Sequence, residues 1–435
     1  MGEKRNIYDN TIGYRIARFF VDLKVKSAYK KTAIVGLDKI PKDRSVILAT
    51  NHSNALMDAI NILAINKEPK VFIARGDIFI NKSVRKFLRF AKILPIFRIR
   101  NGISNVKKSE ETIDIVANVL ADGKKVHIFP EGAHRSKHDL LPIGKGILRI
   151  ALSASDKIKN DDNLYILPIG VEYGDYYRYQ STLLMFVGDI INVTEYINSN
   201  PDKSEYQINV GIREEIRCKL AETILYINQT DDYDAIWELT KLLTGNINEN
   251  EILKRFNKNR EISSKITELK NTNPQEAEIL FRQADRFMDD RKKAKISIKS
   301  IANPNTKANL FFNSLLALLG LPFYVLSVVL YPNIILSELF LIPKIKDKTF
   351  WNTARFANSL VLNTIFFILW TILSFVFLDW FVTLLVILSL IFLPKYFYIY
   401  SEFVRILASD FRYIRNKDIA TKYNQLKNSI LNLIK

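Results

Sequence analysis

The amino-acid sequence predicts an α/β domain, layered around a largely parallel central sheet, followed by a helical insertion and by C-terminal transmembrane or re-entrant helical hairpins. Three observations lead to this prediction. Between residues 33 and 193, short apolar runs alternate with helix-like segments, which is the pattern of strands and covering helices in an α/β sheet. Residues 200 to 306 are charged and mostly helical in pattern. Two long blocks near the C-terminus contain almost no charge.

The predicted strands are short apolar runs between turn-forming residues, and the segments between them have helical periodicity. The strands are predicted at 33–35, 46–50, 71–74, 93–99, 126–129, 166–171 and 184–187. The helices between them are predicted at about 55–66, 78–91, 105–121 and 145–157. In such sheets, ligands bind outside the carboxyl ends of the strands, so polar residues that follow strands are candidates for a functional site.

The regions on either side of this α/β domain differ from it in composition. The predicted boundaries are 1–32 for an amphipathic N-terminal helix, 33–199 for the α/β domain, 200–306 for the charged helical segment, 307–404 for the hydrophobic region and 405–435 for a basic tail. The N-terminal helix has an apolar side and several basic residues elsewhere, so it is expected either to lie among lipid headgroups or to pack on the globular domain. No cleavable signal sequence is expected, because no apolar core follows the first residues.

The chain is strongly basic, with 63 Lys and Arg against 45 Asp and Glu and a formal net charge of +18. Such a charge favours anionic partners, namely a phospholipid surface, a phosphorylated substrate or nucleic acid. Nucleic acid is not expected as a partner, since the chain carries no nucleic-acid-binding motif and nucleic-acid binding would not account for the apolar hairpins. The single cysteine, Cys218, excludes an internal disulfide.

Each apolar block is longer than the roughly 20 residues that one helical membrane crossing requires. Glu338 is the only charged residue from 310 to 343, and Asp379 is the only one from 356 to 394. Prolines interrupt the first block, while basic residues flank both blocks and occupy the link between them. This pattern predicts two hairpins with their basic flanks on the cytoplasmic side. The first block is short for two full crossings, so a re-entrant or tilted hairpin is the alternative there.

Polar residues of chemical interest follow several of the predicted strands. His52 and Asp58 come after the second strand, two arginines end the fourth, and a Phe-Pro-Glu-Gly sequence at 129–132 ends the fifth. A neutral imidazole can take a proton from a substrate hydroxyl while a carboxylate fixes its tautomer. Taken alone, the pair predicts either general-base catalysis or a buried, hydrogen-bonded histidine.

The order of these sequences resembles that of the glycerolipid acyltransferase family, which includes the lysophosphatidate and glycerol-3-phosphate acyltransferases. The family pattern is Asn-His followed by Asp, then Phe-x-x-Arg, then Phe-Pro-Glu-Gly, then a proline-bearing strand, and all four blocks occur in order within residues 44 to 193. The resemblance implies that His52 is the general base, that Asp58 orients it and that Arg100 binds the acceptor phosphate. It also places Glu131 and Gly132 in the substrate site.

The same resemblance implies a reaction and its partners. A fatty acyl group passes from a thioester of coenzyme A or acyl carrier protein to a glycerophospholipid precursor at a lipid membrane, with no cofactor and no metal. The expected acceptor is 1-acylglycerol-3-phosphate, with glycerol 3-phosphate as the alternative. The expected location is the cell membrane, with the active site facing the cytoplasm. An inactive, membrane-anchored lipid-binding protein is the alternative from another class.

Two departures from the family pattern lead to structural expectations. Six positions separate His52 from Asp58, one more than the common spacing, and on a regular helix the two side chains would point about 240° apart. We therefore expect His52 to lie before the helix begins, within hydrogen-bond reach of Asp58 and facing the same cleft as Arg100 and Glu131. The longer spacing resembles a branch of the family that includes fungal-type glycerol-3-phosphate acyltransferases.

The second departure is the sequence Ala133-His134-Arg135-Ser136, in which the arginine lies one place later than in the family pattern. Arg135 is therefore a candidate for substrate binding, together with Arg75 after the third strand and Lys145 before a helix. A metal site built from the histidines and acidic residues of this region is a rival interpretation. The spacings of these residues match no ligand signature.

Overall fold

The computed structural model of the chain describes residues 6–97, 103–158, 163–228 and 230–434. The chain divides into two compact units. The first consists of Met1–Lys26, Thr32–Tyr176 and Leu183–Ile224. The second consists of Ser27–Lys31, Tyr177–Thr182 and Leu225–Lys435.

An eight-stranded sheet forms the centre of the α/β fold. Its strands are β1 (Lys31–Val35), β2 (Ser45–Thr50), β3 (Lys70–Arg75), β4 (Ile93–Ile96), β5 (Lys125–Ile128), β6 (Leu164–Tyr173), β7 (Thr182–Val187) and β8 (Ile191–Asn192). Their order across the sheet is β1-β7-β6-β2-β5-β3-β4, and β8 pairs with β6. The parallel pairs are β2 with β5, β2 with β6, β3 with β4 and β3 with β5. β7 and β8 both run antiparallel to β6. The predicted, largely parallel sheet is confirmed.

Within the described residues, seven α-helices complete this part of the chain. They are α1 (Ile12–Ala28), α2 (Leu56–Leu63), α3 (Lys82–Phe90), α4 (Ile103–Ala121), α5 (Gly146–Ser155), α6 (Val193–Asn198) and α7 (Glu205–Thr223). Side chains from the sheet and from α4, α5 and α7 form one hydrophobic core. β2 is buried at every position, as expected for a central strand covered on both faces. β8 was not predicted, because two residues carry no periodic signal.

The sheet brings the ends of separate strands together. In the parallel register, Ala49 of β2 lies between Ile128 of β5 and Pro168 of β6. The segments that follow these three strands therefore leave the sheet at the same edge. The predicted strand at 93–99 ends earlier, at Ile96, and the two arginines of the fourth block lie at 98 and 100, outside the described residues.

The second unit contains a helical core and a group of long apolar helices. Its helices are α8 (Tyr233–Thr244), α9 (Ile252–Thr272), α10 (Pro274–Lys293), α11 (Ile298–Ala302), α12 (Lys307–Leu330), α13 (Pro332–Leu336), α14 (Trp351–Phe377), α15 (Trp380–Arg415) and α16 (Lys417–Leu433). The core is built from α8, α9, α10 and α16. Asn273 caps α10 and Pro274 occupies its first turn, which explains the break between α9 and α10.

Among the described residues of the second unit, three helical segments are long and apolar enough to cross a membrane: Lys307–Leu330, Lys348–Phe377 and Trp380–Arg415. The last two form the hairpin expected from the second apolar block. Its turn lies at Leu378 and Asp379, and the Asp379 carboxylate caps α15 by accepting hydrogen bonds from two backbone N–H groups.

The first apolar block forms one long helix, α12, followed by a short return segment. Near its start, the Asn305 amide donates to Asp410 near the end of α15 (2.8 Å), and just past its end the Tyr331 hydroxyl donates to the carbonyl of Leu390 (2.8 Å). Leu390 lies roughly ten residues, or about 15 Å, from the start of α15 at Trp380. α12 therefore ends short of the α14–α15 turn. The first block therefore contains one helix of membrane-spanning length and a short segment after it, which differs from two full crossings.

The return segment is held by a charged contact. Glu338, the one charged residue of the first block, forms an ion pair with Arg355 of α14 (2.7 Å). The chain then enters α14, and after α15 the C-terminal helix α16 packs against α10, where Lys422 and Asp290 form an ion pair (2.8 Å). The helices before and after the apolar region therefore pack on one another.

Candidate active site

The loop between β2 and α2 places His52 and Asp58 in direct contact. α2 begins at Leu56, so His52 precedes the helix, as expected from the longer spacing. Its Nδ1 atom lies 2.8 Å from Asp58 Oδ2. Ala55 has a positive φ of 44°, a conformation that costs a non-glycine residue about 1–3 kcal/mol. This residue lets the loop turn back so that the two side chains meet despite the extra position.

Asp58 is fully buried, and hydrogen-bond donors surround its carboxylate. Besides His52, Oδ2 accepts hydrogen bonds from the backbone N–H groups of Ser53 (2.8 Å) and Asn54 (2.7 Å). The Tyr173 hydroxyl donates to Oδ1 (2.5 Å). A carboxylate with this many donors is fixed in position, and it fixes the imidazole through Nδ1. The Nε2 atom is then the ring nitrogen left for a substrate.

The loop itself is anchored by Asn51, which is also buried. Its side-chain amide donates to the carbonyl of Val171 on β6 (3.0 Å) and accepts from the N–H group of the same residue (2.7 Å). This reciprocal pairing extends the β2–β6 ladder by one side chain. The asparagine of the Asn-His sequence therefore has a positioning role that follows from its two-sided hydrogen bonding.

The imidazole of His52 lies between two rings of the segment after β5. It stacks on Phe129, with centroids 3.7 Å apart and planes 11° apart, and meets the His134 ring edge-on at 5.2 Å. The His52 side chain is 15% exposed, so one side of the ring is open to a substrate. Phe129 and His134 were not predicted to contact His52, since neither contact has a sequence signature.

Glu131 connects the loops that follow β2 and β5. One carboxylate oxygen accepts from the backbone N–H group of His52 (3.1 Å) and the other accepts from that of Leu141 (2.7 Å). Gly132 follows it in the left-handed conformation, with φ 64°, which favours glycine in this turn. In this structure, Glu131 thus holds the His52 loop through one oxygen and the segment at Leu141 through the other.

The basic candidates lie in different surroundings. Arg135 donates its backbone N–H group to the His52 carbonyl (2.9 Å), and its guanidinium forms an ion pair with Asp139. Arg75 lies at the end of β3 and pairs with Asp77. Lys145 is exposed at the start of α5, next to Gly144, whose N–H group donates to the carbonyl of Pro130 (2.8 Å). Arg100 lies outside the described residues.

Tyr173 was not among the predicted site residues, and removal of its hydroxyl group is expected to lower the rate of catalysis. The Tyr173→Phe protein loses a short hydrogen bond to the Asp58 carboxylate, which is worth about 1.5–3 kcal/mol for a charged acceptor. We expect kcat to fall about tenfold with little change in KM, because the hydroxyl acts through Asp58. Steady-state kinetics will measure this.

The matched control for Tyr173→Phe is Tyr165→Phe. Tyr165 lies on the same strand, β6, and its hydroxyl accepts a hydrogen bond from the Asn163 amide (3.4 Å). We expect its kcat to equal that of the wild type. Equal kcat values for Tyr173→Phe and Tyr165→Phe would exclude the positioning role.

Glu131 gives an expected pH dependence. Burial raises the pKa of its carboxyl from 4.5 to about 8, although the two N–H donors favour the ionised form. Between these values the folded protein binds a proton that the unfolded chain releases, so the free energy of unfolding falls as pH rises from about 4.5 to about 8. We expect Glu131→Gln to reduce this dependence, measured as the change in Tm across that range. An unchanged slope would contradict the assignment.

Comparisons with known proteins identify relatives of the domain that carries this site. A family model described as Acyltransferase matches residues 31–172. Glycerol-3-phosphate O-acyltransferase 1 of Saccharomyces cerevisiae is 34% identical over 74 residues, which are 17% of this chain and 10% of the yeast protein. The 1-acyl-sn-glycerol-3-phosphate acyltransferase of Borreliella burgdorferi is 25% identical over 195 residues, 43% of this chain and 74% of that protein.

Among solved structures, the 1-acyl-sn-glycerophosphate acyltransferase PlsC of Thermotoga maritima aligns with 48% of this chain and 78% of its own, at 18% identity and a TM-score of 0.35. The family match spans β1 to β6 and contains His52, Asp58 and Glu131. Residues 31–172 of this chain therefore form an acyltransferase domain of the glycerolipid type, related to the lysophosphatidate and glycerol-3-phosphate enzymes.

Proposed function

We propose that this chain transfers a fatty acyl group from a thioester donor to a hydroxyl of a glycerol phosphate in phospholipid synthesis, with 1-acylglycerol-3-phosphate as the acceptor. The observation that carries the proposal is the His52–Asp58 pair, held at the carboxyl ends of the parallel strands in a domain of the acyltransferase family. No cofactor is required, because the thioester supplies the activated acyl group.

In the proposed reaction, His52 acts as a general base. Asp58 holds the Nδ1 proton, so Nε2 takes the proton of the acceptor hydroxyl as its oxygen attacks the thioester carbonyl. The C–O bond forms, the C–S bond breaks, and the thiolate takes the proton back from the imidazolium. Asp58 stabilises the imidazolium through its negative charge. The acyl group passes directly to the acceptor, without a covalent enzyme intermediate.

The acceptor phosphate needs cationic partners near His52. The family resemblance gives this role to Arg100, since a guanidinium matches phosphate oxygens in a fork. Arg135 is the second candidate, because its backbone bonds directly to the His52 carbonyl. A phosphate there would compete with Asp139 for the guanidinium. Lys145 and Arg75 are further candidates as exposed cations of the same unit.

Glycerol 3-phosphate is the alternative acceptor. The longer His-Asp spacing favours it, and so does the similarity of a 74-residue stretch to the yeast glycerol-3-phosphate enzyme. The similarity to the Borreliella lysophosphatidate enzyme is weaker in identity but extends over 195 residues. We therefore keep 1-acylglycerol-3-phosphate as the first choice.

The alternative from another class is a catalytically inactive, membrane-anchored lipid-binding protein. In such a protein, the His52–Asp58 pair is expected to be broken or misplaced. The short His52–Asp58 contact and the buried, fully surrounded Asp58 favour activity instead. A buried carboxylate with this many hydrogen-bond donors stabilises a negative charge, which general-base catalysis requires and lipid binding alone does not.

The protein is a membrane protein by its apolar helices, and we propose the cell membrane with the active site on the cytoplasmic side. Acyl-coenzyme A, acyl carrier protein and phosphorylated acceptors are made there, and the basic flanks of the apolar blocks support this orientation. A cysteine placed at Asp347 in a Cys218→Ser background gives a direct check. Labelling by an impermeant reagent from outside intact cells would contradict the orientation.

The deciding experiment is an assay of the full chain purified in detergent. It combines two acceptors, 1-acylglycerol-3-phosphate and glycerol 3-phosphate, with acyl-coenzyme A and acyl carrier protein donors, and identifies the product by mass spectrometry. We expect phosphatidate from the first acceptor with at least one donor. Lysophosphatidate as the main product would establish the alternative acceptor. No product from any combination, in a protein that melts cooperatively, would favour the inactive lipid-binding protein.

A further inference from the structure

The first unit contains a second pair of a histidine and a carboxylate, besides His52 and Asp58. His138, in the segment after β5, has its Nδ1 atom 3.2 Å from a carboxylate oxygen of Glu172 on β6. Both side chains are buried, at 5% and 8% exposed. The Tyr176 hydroxyl lies 3.0 Å from the same Nδ1 atom. We call the side chains of His138, Glu172 and Tyr176 the His138 cluster.

One side of the His52 loop is held by the segment that contains His138. The backbone N–H group of Arg135 donates to the His52 carbonyl (2.9 Å), and the Ser136 hydroxyl donates to the Ser53 carbonyl (2.8 Å). These two donors belong to residues that lie three and two positions before His138. A contact that fixes His138 therefore also fixes the donors that hold the loop.

The other side of the loop is held from the end of β6. The Asn54 side-chain amide donates to the Tyr176 carbonyl (3.0 Å), while the Asn54 backbone N–H group donates to Asp58 (2.7 Å). The Tyr176 ring also lies beside that of Tyr173, with centroids 5.9 Å apart, and the Tyr173 hydroxyl donates to Asp58. Tyr176 thus contacts two of the residues that bind the Asp58 carboxylate.

The His138 cluster joins these two sides. β5 and β6 are not neighbours in the sheet, because β2 lies between them. The contacts of His138 with Glu172 and Tyr176 therefore cross the end of β2, where the His52 loop leaves the sheet. Residues 52–54 supply the imidazole and the two backbone N–H groups that bind Asp58 Oδ2, and they are held between the segments joined by the cluster.

We propose that His138 is a positioning residue, which acts through Glu172 and Tyr176 to hold residues 52–54 so that His52 Nδ1 faces Asp58. The inference rests on the proposed function for its effect on rate, whereas its effect on the loop is independent of that function. Well-packed apolar side chains stabilise a fold as well as a buried polar pair does. Hydrogen bonds in addition restrict distance and angle, which a site that depends on the orientation of one imidazole requires.

The test compares His138→Leu with His138→Asn in the full chain, purified in detergent. Asparagine keeps an N–H donor near the position of Nδ1, whereas leucine, which is similar in size and branching, has none. Hydrogen exchange of the backbone N–H groups is followed by mass spectrometry in peptides that cover residues 51–58. We expect exchange there to be about tenfold faster in His138→Leu than in the wild type, and within about threefold of the wild type in His138→Asn.

Initial rates of acyl transfer give the second readout. We expect kcat of His138→Leu to fall about 10–100-fold with KM changed less than about twofold, because the base is misplaced while the acceptor site is not. His138→Asn is expected to recover most of this loss. The control is Ser45→Ala, which removes a buried hydrogen bond to the Leu120 carbonyl (2.6 Å) at the opposite end of β2. We expect it to lower Tm without changing kcat or the exchange at 51–58.

The outcomes separate this inference from the proposed function. Wild-type exchange at 51–58 in His138→Leu would overturn the inference. Faster exchange across the whole first unit would also overturn it, because His138 would then serve the fold in general, and so would a wild-type kcat for His138→Leu beside an inactive His52→Ala protein. Equal kcat values for His52→Ala and the wild type would contradict the proposed function instead, while the exchange result would still decide whether His138 holds the loop.

Discussion

The His52→Ala protein is expected to lose acyl transfer by about 10³-fold or more in kcat, near the upper range for removal of a general base. The reason is that Nε2 of His52 is the proton acceptor in the proposed reaction, held there by the contact of Nδ1 with Asp58 (2.8 Å). The fold should persist, because the ring lies at the edge of the sheet and packs mainly on Phe129. Initial rates of product formation in detergent will measure the loss.

A neighbouring histidine provides the matched control. His134 meets the His52 ring edge-on, with centroids 5.2 Å apart. We expect His134→Ala to retain kcat within about tenfold of the wild type, since it changes packing without removing the base. If His52→Ala keeps full activity while His134→Ala loses it, the roles of the two histidines have been exchanged.

The Asp58→Asn protein is expected to show the second large effect, a fall in kcat of about 10²–10⁴-fold. An asparagine side chain offers one oxygen, whereas Asp58 accepts hydrogen bonds at both oxygens from His52, Tyr173 and two backbone N–H groups. The amide NH₂ group would face donors, and the imidazole would lose both its tautomer and its orientation. We also expect a lower Tm, because an unsatisfied buried donor costs about 1–3 kcal/mol.

The control for this substitution is Asp77→Asn. Asp77 is an exposed carboxylate of the same unit, paired with Arg75, and such surface changes usually cost little. Separate determination of kcat and KM for both proteins will distinguish a loss of catalysis from a loss of binding. An Asp58→Asn protein with a wild-type kcat and a lowered Tm would show that Asp58 serves the fold alone.

Much of the first unit follows from local sequence. The seven predicted strands and the four predicted helices between them are found, because alternation of apolar runs with helical periodicity reports which residues face a shared core. The position of His52 before α2 also followed from spacing alone, since a regular helix would keep His52 and Asp58 apart. The turn that permits it, at Ala55, was not predictable, because alanine rarely adopts a positive φ.

The partners of the site were harder to predict. Tyr173 lies 115 positions from Asp58 and reaches it only because β6 pairs with β2 in a specific register. Glu131 was expected in the substrate site, whereas in the structure each of its oxygens accepts a hydrogen bond from a backbone N–H group. In each case, sequence reveals the chemistry of a side chain, while the partner is set by tertiary pairing.

The apolar region illustrates a different limit. Composition shows where both apolar blocks lie in the sequence. It does not determine how far each helix extends along the helices that pack against it. The end of α12 is set by two specific contacts, from the Tyr331 hydroxyl to Leu390 and from the Trp370 indole to Leu330 (2.7 Å). Likewise, the amphipathic N-terminal pattern left two interpretations open. The structure packs one row of α1 on the domain and leaves the other exposed.

The most direct measurement of the central claim compares acyl transfer by the wild-type and His52→Ala proteins, with labelled acyl donor and 1-acylglycerol-3-phosphate, and follows label in both product and protein. We predict labelled phosphatidate from the wild type at a rate about 10³-fold above that of the variant, with no label bound to the protein when the acceptor is omitted. Equal rates in the two folded proteins, or an acyl-protein that forms without acceptor, would contradict His52 as the base for direct transfer.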